Sequence, residues 1–567
     1  MSSIDMTASM QPGRREDVSV RGADIVMRSL RRAGCRTIFA LSGNHIMALF
    51  DAAIETDIEI VHVRHEAAAV HMADAWARLT GEPGIALVTG GPGHGNALGA
   101  LTTALGEESP VVLLSGLQLS HEVVRSGFEG RAQADMAAPV TKAAWVAQTV
   151  EGLAEDIRKA LAIALEGRPG PVHLSLPVHL LDETVEERQV AWSQGGDRPP
   201  SRPDAAAAAS LGQAIASASR PILIAGPSFS GVAGRTALEA FEAAAHVPTC
   251  ILNTARGLGD ASFGALRPSL KEADLVVLMG KALDFSLDFG RPPLFDSSCR
   301  WAVVSPDAET VRDARDKLGE RFALGIAASA PETLAVLTDR FRAAPAAAAP
   351  SPWHERIRAG IAQRYGVGQQ QAGRTAGRVH PAEVFNALKP YVQRDPDAVL
   401  VIDGGEFPQW AAALLDVPRR LVTGLGGAIG VSIPFALAAR LVEPVAPIFV
   451  AVGDGAFGFH LSEFETAIRR GLPFVALVGN DARWNAESQL QVRKYGRQRA
   501  RGCELEPARY DLVVESFGGH GEFVTDARDL DAAIARALAS NKPACVNVQV
   551  ESVPAPRLGA VAPPAPA

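Results

Sequence analysis

Short apolar runs that break off at glycine recur along the chain and set its element pattern. Gly84 to Thr89 (GIALVT) runs into Gly90-Gly91-Pro92-Gly93, Thr37 to Leu41 into Ser42-Gly43, and Pro447 to Val452 into Gly453-Asp454-Gly455. Pro110 to Ser115, Pro221 to Ala225, Asp274 to Met279, Ala398 to Ile402 and Pro473 to Val478 have the same character. Such runs lack polar alternation and are bounded by turn formers, so they read as strands buried on both faces. Between them lie stretches with helical spacing, such as Ile25 to Ala33 and the alanine-rich Glu66 to Arg78. Repeated βα units predict an α/β fold of doubly wound parallel sheets, with ligands at the carboxyl ends of the strands.

Two Pro/Ala/Gly-rich stretches interrupt this pattern, Ser193 to Ala209 and Ala343 to Pro352. Read as linkers, they divide the chain into three α/β domains at 18–190, 205–342 and 353–553. Residues 554–567, rich in proline and alanine, are expected to form a disordered tail. A length of 567 residues suits that domain count, and 47% hydrophobic with 21% charged residues lets each domain bury a core. The formal charge of −8 gives no basic surplus, which speaks against a nucleic-acid partner. Five scattered cysteines, never spaced as CxxC, read as reduced thiols rather than a disulfide framework or zinc site. Met1 to Asp17 has no apolar core of a secretory signal, and no apolar stretch approaches the length a membrane helix needs, so the cytoplasm is the expected compartment.

Chemistry enters at the strand ends. Asp454 lies between Gly453 and Gly455, and Gly479-Asn480-Asp481 closes the next predicted strand, 27 positions from Asp454 to Asp481. Glycine lets backbone N–H groups approach a phosphate, and an oxygen-donor pair at one sheet edge suits Mg²⁺, which takes its other ligands from phosphate and water. Glu66 stands where a strand meets a helix. By itself such an acid is a helix-dipole partner, but the helix that follows is unusually small-sided and the next turn is built almost entirely of glycine and proline.

These pieces carry a resemblance that covers about Val20 to Val553. RHEAAAVHMADAWAR, LVTGGPGHGNAL, SPVVLLSG, PVTK at 139–142, GLGGAIGVSIPFALAA and GDG…GND resemble, in order and spacing, the thiamine-diphosphate-dependent superfamily of acetolactate synthase, pyruvate oxidase and benzoylformate decarboxylase. The resemblance implies roles residue by residue. Glu66 would hydrogen-bond the aminopyrimidine ring, with Thr89, Gly91, Pro92 and Asn96 beside it. Ile429 would be the apolar wedge that bends the cofactor. Gly405, Glu406, Gly427, Gly453, Gly455 and Ala456 would supply backbone contacts. Asp454, Asp481 and the backbone carbonyl of Arg483 would hold Mg²⁺. The family usually has Asn-Asn where this chain has Asn480-Asp481. Spacing favours Asp481 as ligand, with Asn480 as the alternative.

For the substrate, His45 matches a histidine of benzaldehyde lyase. Glu129 falls where relatives carry Gln, or Glu in the oxalyl-CoA decarboxylase group, and Glu487 matches an acid of pyruvate-decarboxylase-like enzymes. Each has a plain structural alternative: a satisfied loop histidine and two solvated glutamates. The basic segment Gln489 to Pro507 reads as a solvated flap or as recognition of an acidic substrate such as a CoA ester. Flavoprotein relatives hold FAD in the middle domain. Here Thr254 to Gly259 reaches Asp274-Leu275 by a short connection and Gly226-Pro227 is a lone turn, so bound FAD is not expected. The expected activity is that of a carbon–carbon lyase or carboligase on a 2-oxo acid, 2-hydroxy ketone or 2-hydroxyacyl-CoA, with an acetolactate-synthase-like transferase or a non-catalytic scaffold as alternatives. Because the family builds its sites between subunits, a homodimer or homotetramer is implied.

Overall fold

Where the chain offers five to seven apolar residues closed by glycine or proline, it forms the inner strands of three parallel sheets. The computed structural model describes residues 19–118, 132–192, 201–344, 350–363 and 375–556. Glu59–His62, Thr37–Ala40, Gly84–Val88, Val111–Leu117, Val172–Pro177 and Ala143–Val146 lie side by side in that order in the first sheet. The third sheet runs Arg419–Val422, Val399–Ile402, Ile448–Gly453, Val475–Asn480, Ala544–Gln549 and His520–Val524. A five-stranded sheet lies between them in the chain, ordered Thr249–Ile251, Pro221–Ala225, Leu275–Met279, Arg300–Ser305 and Phe322–Ala327. A two-stranded antiparallel pair, Ser19–Arg21 with Thr184–Glu186, ties the ends of the first unit together.

The inner strands Gly84–Val88 and Val111–Leu117 are buried at every residue, as helices on both faces require. The helix Glu66–Thr80 ends at Gly81, whose φ of +78° closes it in the left-handed conformation that glycine adopts without strain. Its alanines allow close approach. A Cβ added to Gly84 would stand 2.0 Å from the Ala73 carbonyl, so strand and helix touch backbone to backbone. The other face of this helix packs on the helix Ser432–Val442 of the third unit. One hydrophobic cluster consequently runs through both units, from Phe39 and Val61 to Phe435 and Val450. Each large apolar side chain buried there contributes about 1.5–3 kcal/mol, and the first and third units form one continuous body.

Two expected boundaries look different in three dimensions. Residues 193–200 of the first linker lie outside the described residues, but Ala205 to Ala209 open the helix Ala205–Ser217, capped by the Asp204 carboxylate on Ala207 N–H. Five alanines after an aspartate make a helix start, because alanine has the best helix propensity. The helix Pro352–Ala362, expected at the head of the third domain, packs on the middle sheet instead. Trp353 and Ile357 join the middle core, and Trp353 Nε1 donates to Pro221 O at 2.7 Å. At the far end, Ala555 is buried and its N–H donates to Glu406 Oε2 at 2.6 Å, so the first residues of the expected tail are anchored. Residues 557–567 lie outside the described residues. All five cysteines are free. No helix among the described residues is long and apolar enough to cross a membrane.

Candidate active site

The first unit gathers one group of polar side chains at its strand ends. Glu66 begins its helix and is buried, and Asn96 Nδ2 donates to its Oε2 at 3.1 Å. Gly93 lies against the other carboxylate oxygen, since a Cβ there would come within 3.1 Å of Glu66 Oε1 and 2.7 Å of Thr89 Cγ2. Thr89 in turn reaches His45, Oγ1 to Nδ1, at 3.2 Å, and Gly90 N–H donates to the same Nδ1 at 3.3 Å. A backbone donor on Nδ1 places the proton of a neutral His45 ring on Nε2. Gly91, at φ +64°, starts the helix Pro92–Gly106 with Pro92 in its first turn.

Gln133 belongs to this group although nothing in the sequence reading singled it out. It is buried, its Oε1 accepts from Gly91 N–H at 2.9 Å and its Nε2 donates to Gly116 O and Ser175 Oγ. Glu129, the candidate named near it, lies outside the described residues. The signal available was a polar residue six positions ahead of the PVTK run.

The third unit holds the second group. Gly405, Glu406, Ile429, Gly453, Asp454, Gly455, Ala456, Asp481, Arg483 and Glu487 line one cavity of about 70 Å³. Asp454 is 1% exposed and takes a hydrogen bond from Arg483 N–H at 3.3 Å. Burial pushes its carboxyl up to about 6. Asp481 is pushed up to about 7, by burial first and then by the charge of Asp454. Two carboxylates raised together in one cavity are short of positive charge, and Arg483 Nε is itself buried without a hydrogen-bond partner. Ala482, between Asp481 and Arg483, sits at φ +57°, a left-handed conformation that costs a non-glycine residue about 1 kcal/mol or more and marks a constrained loop. Asn480 does not line the cavity, although its Oδ1 is buried without a hydrogen-bond partner. Fully buried, it donates to Ala508 O and Asn547 Oδ1 within the sheet. Gly455 cannot carry a side chain, because a Cβ would meet the Trp484 ring at 2.6 Å. Glu406 is tied down by Arg256 and by Ala555 N–H. Glu487 stands exposed at the rim on the helix Asn485–Tyr495. Gly427 does not line the cavity, and packs instead against Ala255 of the middle unit.

Two further acids hold these groups in place. Asp403, buried just past the strand Val399–Ile402, accepts from Gly404, Gly430 and Ser432 N–H, joining the strand end to the glycine-rich loop. Its position, an acid followed by Gly-Gly after a strand, repeats the signal that exposed Asp454. Glu463 had no such signal. Its Oε1 accepts from Arg64 and His65 N–H at 2.9 and 3.1 Å, so a residue of the third unit fixes the turn that leads into Glu66.

A small-sided helix headed by a carboxylate, a Gly-Gly-Pro-Gly turn beside it and an acid pair in a glycine-lined cavity are matched by two family models. They describe the thiamine pyrophosphate enzyme N-terminal binding domain, over residues 20–137, and its C-terminal binding domain, over 403–548. A probable acetolactate synthase of Mycobacterium bovis is 31% identical over 94% of this chain and 96% of its own. The chain belongs to the thiamine pyrophosphate enzyme family. The human 2-hydroxyacyl-CoA lyase 2 is 30% identical, covering 89% of this chain and 85% of that one. Among solved structures, a thiamine diphosphate-dependent 4-hydroxybenzoylformate decarboxylase of Rhodococcus jostii has the same fold, with a TM-score of 0.79 over 94% of this chain and 99% of its own at 20% identity. Membership makes this chain an enzyme of thiamine diphosphate chemistry, and the two binding-domain models cover the two polar groups described above.

The residues present fit that cofactor. A cation held by Asp454 and Asp481 would favour the charged carboxylates that burial disfavours at both, and Gly453, with open space where a Cβ would stand, leaves backbone free to face a diphosphate. Neither Glu66 nor His45 lines the Asp454 cavity of the same chain.

Proposed function

We propose that this chain is a thiamine-diphosphate- and Mg²⁺-dependent carbon–carbon lyase or carboligase. Its substrates in this reading are 2-oxo acids, 2-hydroxy ketones or 2-hydroxyacyl-CoA esters. The observation that carries it is the Asp454–Asp481 pair, one buried and one half-buried carboxylate, both raised in a glycine-lined cavity. When bound, the cofactor supplies an electron sink for the carbanion left by a broken C–C bond. Asp454, Asp481 and the Arg483 carbonyl would hold the metal, and Ile429 would set the shape of the site. Glu66, oriented by Asn96, is placed to exchange a proton with a ring nitrogen from a buried position where its hydrogen bond is not diluted by water. His45, with its proton on Nε2, would donate to a substrate carbonyl or hydroxyl oxygen.

The assembly in this reading is a homodimer or homotetramer. It is supported by the separation of the Glu66 group from the Asp454 cavity within one chain, which a second copy would resolve. An acidic substrate is supported by Arg493, Lys494, Arg497, Arg499 and Arg501, which follow Glu487 on the same segment. No flavin forms part of the reading.

A second reading, condensation of two 2-oxo acids, is favoured by the 31% identity to a probable acetolactate synthase over nearly the whole chain. Titration calorimetry with thiamine diphosphate and Mg²⁺, followed by a panel of pyruvate, benzoylformate, benzoin, oxalyl-CoA and a 2-hydroxyacyl-CoA, decides between them. Cleavage of a panel member without acetolactate from pyruvate supports the first reading. Acetolactate formation together with bound flavin in the purified protein supports the second, and tight cofactor binding with no C2–H exchange would leave only a scaffold.

A further inference from the structure

The loop from Val422 to Gly430 carries Gly427 and Ile429, and its backbone turns on three glycines at positive φ, Gly424 (+77°), Gly427 (+64°) and Gly430 (+81°). Three such residues in seven make a loop with little conformational preference of its own. What holds it is a buried ionic group of the first unit. Arg78 pairs with Asp74 through two hydrogen bonds of 2.7 and 2.6 Å, and its Nη1 donates to Val422 O at 2.8 Å and to Glu107 Oε2 at 3.4 Å. Glu107 Oε1 accepts from Leu425 N–H at 3.0 Å, and a Cβ on Gly424 would lie 2.5 Å from the same oxygen. The three side chains are almost wholly buried, with Asp74 at 0%, Glu107 at 1% and Arg78 at 7% exposure. Burial pushes the Glu107 carboxyl up to about 7 while Arg78 pulls it back down, so its charge depends on Arg78 being in place.

The middle unit closes the other side. Asn253 Nδ2 reaches Glu107 Oε2 at 3.4 Å and Ser230 Oγ at 3.0 Å, and Ala255 N–H donates to Gly424 O at 3.1 Å. The loop is thus gripped at Val422, Gly424 and Leu425 by two other units, while Asp403 fixes Gly430 from its own. We propose that Glu107, held by Arg78, is a positioning residue that presets the Val422–Gly430 loop, and through it Ile429, in the shape that receives the cofactor. It touches neither cofactor nor substrate and acts through the backbone of Leu425. The inference rests on the cofactor reading above only for what the loop receives. The preset shape itself is a property of the cofactor-free chain.

The test uses the full-length protein and Glu107→Gln, which keeps an acceptor for Leu425 N–H but removes the charge facing Arg78. Hydrogen–deuterium exchange without cofactor should show amides of 423–427 exchanging about tenfold faster, the scale of one weakened charged hydrogen bond, with strand 448–453 unchanged. Calorimetry should show thiamine diphosphate with Mg²⁺ binding about tenfold more weakly, and kcat at saturating cofactor should stay within about twofold. Loop exchange equal to wild type, or acceleration shared equally by the helix Glu66–Thr80, overturns the proposal. Should Glu107→Gln fail to fold, Asn253→Ala removes one contact to the same carboxylate, and a rise of about threefold at 423–427 decides in its favour while no rise decides against. Wild-type protein that binds no cofactor would defeat the functional reading alone, because the exchange result still judges the clamp.

Discussion

The first and third sheets are wound identically and loaded differently. Numbered within each unit's own six parallel strands, both have the order 2-1-3-4-6-5, so each has a switch point between its first and third strands where a ligand crevice opens. In the first unit these strands end in His45 and in Thr89-Gly90-Gly91, with Glu66 after the second. In the third they end in Asp403 and Asp454, with Asp481 after the fourth and the glycine loop after the second. The first unit's carboxylate is met by an amide, Asn96. The third unit's acid pair is met by backbone, through Arg483 N–H on Asp454, and in the proposed reading it takes a cation. In the proposed reading one scaffold thereby offers a proton-handling face and a metal-and-phosphate face, and the winding alone distinguishes nothing about the chemistry.

Removing the metal face should do the most damage. Asp454→Ala is expected to weaken Mg²⁺-dependent cofactor binding by at least about 100-fold, as loss of a metal ligand does, measured by calorimetry. Binding within a few fold of wild type would erase the distinction between the two sheets. The proton-handling face should respond in the opposite sense. Glu66→Gln is expected to leave cofactor affinity within about tenfold while turnover falls roughly 100-fold. Unchanged turnover in stopped assays would remove Glu66 from its role.

A pair of neighbours sharpens the metal face further. Asp481→Ala should cost about tenfold or more in Mg²⁺ affinity, whereas Asn480→Ala should lower thermal stability by about 1–3 kcal/mol through its two buried hydrogen bonds and leave Mg²⁺ affinity nearly unchanged. The reverse pattern would make Asn480 the ligand.

The smallest effect concerns stability against pH in the first unit. His94 and His173 lie with ring centroids 4.6 Å apart, and burial lowers them to about 4 and about 3. Unfolded, both titrate near 6.5, so between that pH and the folded values the unfolded chain binds more protons. Their contribution is complete above pH 6.5 and is lost as pH falls through about 4 and about 3, with a slope of roughly 1.4 kcal/mol per pH unit for each proton. Denaturant melts from pH 7 to 4 should show it, and His94→Asn with His173→Asn should flatten the acid side. An unflattened slope would assign the acid sensitivity to other groups.

Much of the site was legible because it lies at strand ends. An apolar run followed by glycine and an acid marks a crevice residue in one dimension, which is why Asp454, Asp481 and the Gly90–Gly93 turn stood out. Gln133 was harder to see, since its role depends on reaching across a strand to Gly91 N–H. Glu463 and Glu107 were not visible at all. Each acts on backbone about 400 and about 320 positions away, a distance no local pattern encodes.

The amino-acid order by itself determined the strands, the glycine turns, the acids at their ends and hence the class of chemistry, because each is a matter of local periodicity and residue type. The tertiary structure alone decided that two such crevices share one hydrophobic core, that Glu66 stays apart from the Asp454 cavity, and that buried acids of one unit hold the loops of another. Those outcomes depend on which faces bury each other, and burial is settled by packing between distant segments rather than by their neighbours in the chain.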